Sequence, residues 1–427
     1  MAIIQLHSDN PNLSWIIEKN PATGMTLKSL RQGTLFGWFG KENTSYNILF
    51  RDGQDEVSYK SHPDEDFEYL NASRYNYSLF IVNAIDDFLR TAFKKRNEKD
   101  LESVYTNSFF INMMNIKNKR IVDNFNNYFL NEFKIESELI VGNNYKIKIT
   151  TKKSIHELIN YLSLFSIFNA ILNDEMHFIA DLLVKKYISC MNIIDAPYFI
   201  RYLFKVKCIP SKSLFEECKP ILENSKRDKI ELSFGDTWLG RKDFIVKNLS
   251  FQNNILEIGC GEGRYITLIA QKLKEEKQYF AIDTNEEVLK NAQRRTENKN
   301  LENVMFYKSL EEFLDIGYTE NRTECIITEV IEHMSIEESK KLLEKAFKIT
   351  SIDKFIITTP NSSFNKFYLF EDEEKRHEDH KFEFNKEDFK KFIEDCIGDL
   401  IFKAEFFDVG DKVNGISCTS GCVIAKN

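Results

Sequence analysis

Two short runs near the C-terminal end hold the residue types that could do chemistry: EVIEH (Glu329–His333) and RHEDH (Arg376–His380). The chain has only seven His, and the three in its last hundred residues all fall in these runs. Glu329, Glu332 and His333 stand at i, i+3 and i+4, a spacing that predicts one helical turn with all three on one face. Carboxylate and imidazole together bind divalent metal, and mixed nitrogen–oxygen ligation favours Mn, Mg, Fe or Co over a closed zinc site. A helix start with its acids facing the dipole is the plainer reading of the first run alone. His380, arriving on a second loop with Arg376, His377 and Asp379, turns the balance toward a metal held by Glu329, Glu332, His333 and His380.

A second constellation lies upstream, where Glu257-Ile-Gly259-Cys-Gly261-Glu-Gly263 joins an apolar run to a helical pattern. Alternate glycines let the backbone turn sharply and approach a ligand without Cβ interference. An acid before the first glycine is typical of S-adenosylmethionine (SAM) sites. Asp283 follows about 20 residues on, where a carboxylate can accept both ribose hydroxyls. Ser309, beyond the next strand, completes the cofactor set. A tight structural turn with a strand-capping Asp is the alternative. A dinucleotide site fits less well, because the third glycine departs from G-x-G-x-x-G.

These groups need a frame, and the pattern from about Phe251 supplies one. NILEIGC, YFAID, VMFYKS, ECIITEV and KFIITTP read as strands, separated by helical stretches such as YITLIAQKLK, NEEVLKNAQRRTEN, EEFLDI and SIEESKKLLEKAFKI. That alternation predicts βαβ units and a parallel sheet covered on both faces. KEDFKKFIEDC adds a helix, and LIFKAEFFDV and TSGCVIAKN two late strands. The expected class is α/β: a Rossmann-like SAM methyltransferase domain over 226–427, preceded by an α+β N-terminal domain over 1–225. In the first part AIIQL, TLFGWFG and NILFRD read as strands, and SLFIVNAIDDFLRTAFKK and SIHELINYLSLFSIFNAILN as helices. ENSKRDK (Glu223–Lys229) is the linker candidate.

At 427 residues two or three domains are expected. A net charge of −8 argues against a strongly basic, nonspecific nucleic-acid binder, yet leaves room for one RNA end in a local groove. The eight Cys include no CxxC pair, which predicts a reduced, cytoplasmic protein. The start lacks signal-peptide features, and the longest apolar stretch, Leu162–Leu172, is too short to span a bilayer, so no membrane partner is expected.

EVIEHM, TTPNSSFN (Thr358–Asn365) and RHEDHKFEF (Arg376–Phe384) resemble the motifs of the Hen-type 3′-terminal RNA ribose 2′-O-methyltransferases. The resemblance implies SAM- and metal-dependent methylation of the last 2′-hydroxyl of an RNA, with Glu329, Glu332, His333 and His380 as ligands. Two departures stand out. Ser363-Phe364-Asn365 replaces an aromatic-Asn pair preceded by Glu, and Phe384 and Lys386 stand where the family has Trp and Arg. LSWIIEKNP, the LNDEMHF run near Asn173–Phe178, and FIRYL are similar to stretches of bacterial members. In those proteins the N-terminal half stimulates the ligase of a polynucleotide kinase-phosphatase-ligase partner, and cleaved transfer RNA is the implied substrate.

A ribose hydroxyl is a poor nucleophile at neutral pH, and a Lewis acid on both hydroxyls of a terminal cis-diol would activate one and select chain ends. His333 or His377 is the candidate base, with orientation of a ligand an equal reading for His377. Arg241, Arg376 and Asn365 are candidate RNA contacts. Two other functions remain open: a metal-dependent O-methyltransferase of small diols, and a scaffold that chiefly activates a ligase.

Overall fold

The computed structural model describes residues 2–30, 33–53, 58–59, 69–70, 75–129, 132–175, 181–274, 276–317, 321–368 and 375–426. The chain forms two compact units, Met1–Arg227 and Asp228–Asn427.

The first unit is built on strands β1 (Ala2–Ser8), β2 (Thr26–Leu30), β3 (Gly33–Phe39), β4 (Ser45–Asp52), β7 (Asn107–Asn115), β8 (Phe133–Val141) and β9 (Asn144–Thr151), with β5 (Ser58–Tyr59) and β6 (Tyr69–Leu70) as a separate small pair. The seven-stranded sheet runs β2-β3-β4-β1-β7-β9-β8 with antiparallel pairing. Alternation in AIIQLHS buries Ala2, Ile4, Leu6 and Ser8, the period-2 pattern of a sheet with one face on a core. Its core helix, Ile155–Leu172, starts at a capping box between Ser154 and Glu157. Asp100 adds acceptors for the N–H groups of Ile155 and His156. This helix outruns the expected apolar stretch. Among the described residues it alone is long and apolar enough to cross a membrane, and 83% of it is buried inside the unit. The pattern SLFIVNAIDDFLRTAFKK breaks at Leu89 into Ser78–Phe88 and Arg90–Lys94. Part of LNDEMHF lies outside the described residues. FIRYL falls in the helix Tyr198–Cys208, where the fully buried Arg201 gives Nε to the Ala196 carbonyl at 2.6 Å.

The second unit holds β10 (Ile230–Glu231), β11 (Asn254–Ile258), β12 (Tyr279–Ile282), β13 (Val304–Tyr307), β14 (Thr323–Thr328), β15 (Ile352–Pro360), β16 (Phe402–Val413) and β17 (Ile416–Lys426). Their order is β10-β16-β17-β15-β14-β11-β12-β13. β11 through β15 pair in parallel, and β17 inserts antiparallel between β15 and β16. Every residue of NILEI and TECIIT is buried, as a sheet covered on both faces demands. Two apolar cores result. Leu256, Cys325 and Phe355 point into one, and Ile255, Ile326 and Ile356 into the other. Chain order reverses at β11, with β12 on one side and β14 on the other. Ligands of such sheets bind beyond the carboxyl ends at that point. Two expected helices are shorter than their patterns. YITLIAQKLK yields only Ile266–Ile269 and a 3-10 turn, Ala270–Lys272, and EEFLDI a single turn, Leu310–Glu312, followed by a π-type turn.

Candidate active site and metal centre

At the end of β14 the chain does not enter a helix. Glu329 takes a left-handed backbone, φ 53°, while its N–H still bonds the Thr358 carbonyl of β15 at 3.0 Å. Only Ile331–His333 forms a turn, and it is 3-10. The one-face helix expected for Glu329, Glu332 and His333 is thereby corrected. The cause is close approach: Val330 packs over the glycine loop, and a Cβ on Gly259 would sit 2.3 Å from its Cγ2.

Three of the four expected ligands converge. Donor atoms of Glu332, His333 and His380 lie within 4.8 Å of one another, the one such cluster of three or more among the described residues. Glu332 is fully buried, His380 nearly so, and His333 half-buried. The Lys381 N–H donates to the Glu332 carbonyl at 2.7 Å, which pins the RHEDH loop beside the β14 turn. His380 Nδ1 lies 2.6 Å from Glu383 Oε1, leaving Nε2 for a ligand. His333 Nδ1 is likewise occupied, 3.0 Å from Asp379. Asp379 also takes the Nδ1 of the exposed His377. Thr359 Oγ1 donates to Glu332 Oε2 at 3.2 Å, while Glu332 Oε1 is buried with no partner. A buried carboxylate oxygen without a partner, grouped with two oriented imidazoles, is what a cation would satisfy. The donor set fits a divalent metal.

Burial, then the neighbouring Glu329 charge, pushes the Glu332 carboxyl well above the usual range. Burial holds the His333 imidazole low, against the pull of Asp379. For Glu383 burial pushes up, but its bonds to His380, Asn365 and Arg376 win and hold the carboxylate below its ordinary value.

Glu329 stands apart from the triad. Its carboxylate accepts from Thr358 Oγ1 at 3.1 Å and pairs with Arg241 at 3.3 Å. Arg241, a candidate RNA contact on sequence, is therefore an internal partner, its side chain only 16% exposed. Arg376 and Asn365 are also engaged internally. Arg376 Nε donates to Asn365 Oδ1 at 2.8 Å and a terminal nitrogen to the Asn361 carbonyl at 2.7 Å, over the Phe364 and Tyr368 rings. Asn365 in turn donates to Glu383 at 2.6 Å. This framework holds the carboxylate that orients His380.

The glycine loop has the expected form, with φ 76°, 53° and 75° at Gly259, Gly261 and Gly263. At Gly261 a Cβ would meet nothing within 4 Å, so that face is open. Asp283 Oδ2 accepts from the Gly261 N–H at 2.8 Å and Oδ1 from Asn285 at 2.9 Å. Each oxygen keeps acceptor capacity for a diol, and the loop fits SAM. Glu257 does not reach that surface. It is buried in β11, accepts from the Tyr279 hydroxyl at 2.7 Å, and burial lifts its carboxyl to about 8. Ser309 caps the turn at Leu310, its Oγ accepting from the Glu312 N–H at 3.1 Å. Sequence reasoning missed Glu383, Thr358 and Thr359. A carboxylate three residues after His380 was the available signal for Glu383; the two threonines gave none, because only strand register brings them to the acids.

The fold and the site define a methyltransferase domain, and residues 250–395 match the family of that description. Residues 3–227, more than half of the chain, match the Hen1 N-terminal domain, and the chain belongs to that family. The protein is similar over 99% of its length, at 29% identity and a TM-score of 0.82, to the whole of a chain in a structure of the Pnkp1/Rnl/Hen1 RNA repair complex. It is 37% identical over 67 residues to a small RNA 2′-O-methyltransferase of Caenorhabditis elegans, covering 16% of this chain and 15% of the relative. A small RNA 2′-O-methyltransferase of Gallus gallus is 33% identical over 102 residues, 23% of this chain and 25% of the relative. These matches thus span a quarter or less of the curated relatives' length.

Proposed function

We propose that this protein transfers a methyl group from SAM to the 2′-hydroxyl of the 3′-terminal ribose of an RNA, aided by a divalent metal. The observation that carries the reading is the cluster of Glu332, His333 and His380 donor atoms after β14, with Glu332 Oε1 buried and unpartnered. The small RNA methyltransferases among its relatives support the substrate class.

Asp283 holds the donor's ribose, and the open face at Gly261 lets the donor lie against the backbone. Glu332, His333 and His380 would hold the metal, and Glu329 would join them as a fourth donor only by turning from its Arg241 and Thr358 partners. A divalent ion there supplies Lewis acidity to the terminal diol. His333 is committed on both nitrogens in this arrangement, so His377 is the candidate base: its Nδ1 faces Asp379 and its exposed Nε2 can take the 2′-proton. The likeness to a chain of an RNA repair complex supports a kinase-phosphatase-ligase partner, engaged through the first unit, and a broken RNA, such as a cleaved transfer RNA, as the substrate.

The test is labelled methyl transfer to a short RNA with and without Mn²⁺, comparing ordinary, 2′-deoxy and 3′-phosphate ends. Metal-dependent labelling of the ordinary end alone is expected. No labelling of any end, with SAM bound to folded protein, would remove RNA from the reading. Glu332→Ala and His380→Ala should each abolish transfer and leave SAM affinity nearly unchanged in calorimetry; wild-type turnover in either would refute the metal assignment.

A further inference from the structure

The seven-stranded sheet of the first unit has one face on its core and the other turned outward. Ile4, Leu35, Ile48 and Phe109, on four adjacent strands, are buried on the inner face. The residues that alternate with them stand on the outer face and are only half-buried. Three of these carry rings: Phe36 and Trp38 on β3 and Phe110 on β7.

Strand register fixes how the rings are spaced. Phe36 and Trp38 are two residues apart on one strand, which sets their side chains about 7 Å from each other. Trp38 pairs with Asn47, Asn47 with Gln5 and Gln5 with Phe110, so one row crosses four strands over about 14 Å. Between the rings, Gln5 Nε2 donates to Asn47 Oδ1 at 2.7 Å, which holds two amides in place. The row continues through Lys148 of β9 to Glu136 of β8.

The charge of this face opposes that of the chain. Its strand residues include Arg51, Lys134, Lys146 and Lys148 against Glu136 and Glu138, a positive surplus in a chain of net charge −8. Lys134 is paired with Glu136 at 2.6 Å and Lys146 with Glu138 at 2.9 Å, so the surplus rests on Arg51 and Lys148. Arg51 stands two residues beyond Leu49, the partner of Phe36, and Lys148 stands opposite Phe110. The two cations therefore flank the rings.

We propose that this outer face binds unpaired RNA, with Phe36, Trp38 and Phe110 each stacking on a base. Every base has a π-face, so such stacking asks for no particular sequence. The step from Phe36 to Trp38 lets two successive bases splay apart, each onto its own ring. The Gln5 and Asn47 amides offer donors and acceptors to base edges, and Arg51 and Lys148 meet phosphates. A protein is the competing occupant, because Leu27, 59% exposed, continues the Phe36 row. Cores of protein interfaces are depleted of Lys and Glu, however, and Lys148 and Glu136 share a row with the rings. The inference goes beyond the methyl-transfer reading and stands without it.

The experiment is fluorescence anisotropy of a labelled short unpaired RNA with the full-length protein, without metal or methyl donor. The RNA ends in a 3′-phosphate, so chemistry at a terminal diol plays no part. Saturable binding is expected, about tenfold or more tighter than binding of the same sequence as a duplex, whose base faces are hidden. Phe36→Leu and Trp38→Leu should each weaken it about 5- to 150-fold. Both side chains are half-exposed, and an unchanged thermal midpoint shows that the variants are folded. Lys148→Gln should lower the salt dependence by about 0.7 in logarithmic slope. Leu27→Ser should leave the affinity as it is. No binding by the wild-type protein, equal binding of the duplex, or wild-type affinity in both Leu variants would overturn the inference. A loss in Leu27→Ser as large as in Trp38→Leu would also overturn it and mark an apolar face made for a protein. None of these outcomes touches the methyl-transfer reading, which is tested on ordinary 3′ ends with metal.

Discussion

At the scale of the residue, the site works by orientation. Glu383 fixes which nitrogen of His380 faces Glu332, and it does so while itself held by Asn365 and the Arg376 N–H. Glu383→Gln should lower Mn²⁺ affinity by about 10–100-fold without unfolding the protein, read by calorimetry. Unchanged affinity would show that Glu383 does not set the imidazole. Glu257 makes a different prediction. Its folded value near 8 lies above the ordinary 4.5, because burial disfavours the charge. The raised value means that the stability of its protonated form is present below pH 4.5 and is lost as pH climbs through 8. Glu257→Gln removes the titrating proton and keeps an acceptor for Tyr279. It should match wild type near pH 5 and exceed it near pH 8 by on the order of a few kcal/mol in urea unfolding. Equal curves at both pH values would mean the carboxylate is stabilised by something other than Tyr279.

At the scale of the element, the glycine loop and the β14 turn are one device. Gly259 is left-handed and filled from above by Val330, whereas Gly261 is left-handed and open. Alanine costs about 1–2 kcal/mol in a left-handed backbone at either place. At Gly259 it must also displace Val330, and with it the segment carrying Glu329 and Glu332. Gly259→Ala should therefore lose clearly more stability than Gly261→Ala in denaturant, while Gly261→Ala should chiefly weaken SAM binding. Equal losses would separate the loop from the turn. The sequence told less here than its motif suggested. EVIEH has helical spacing, and His380 was legible because rare residue types announce themselves, yet Glu329 is not on a helix. Periodicity describes a regular element, and this turn is irregular because it crosses a glycine loop at van der Waals distance. The parallel strands were legible for the opposite reason: NILEI and TECIIT are buried on both faces, so apolar residues occupy successive positions in them (Ile255–Leu256 and Cys325–Ile327) instead of alternating. Arg241 shows a third case, since exposure cannot be read from a charged residue on a helix whose buried face is set by Gly240.

At the scale of the whole molecule, the two units carry different burdens. The triad and the glycine loop both lie in Asp228–Asn427. Met1–Arg227 has a core of its own, around the helix Ile155–Leu172 and an antiparallel sheet. Separate cores should melt separately, because cooperativity extends only as far as continuous packing does. The full chain should then show two calorimetric transitions. S-adenosylhomocysteine at a hundredfold excess over its Kd stabilises the unit that binds it by about 2.7 kcal/mol. In a unit of this size that moves the midpoint by roughly 5–10 °C. Only one of the two transitions should move, and Glu332→Ala should leave that shift in place, because the proposed function assigns Glu332 to the metal and not to the donor. If a single transition moves as a whole, the units are energetically one body, and a partner held by the first unit could then act directly on the chemistry of the second.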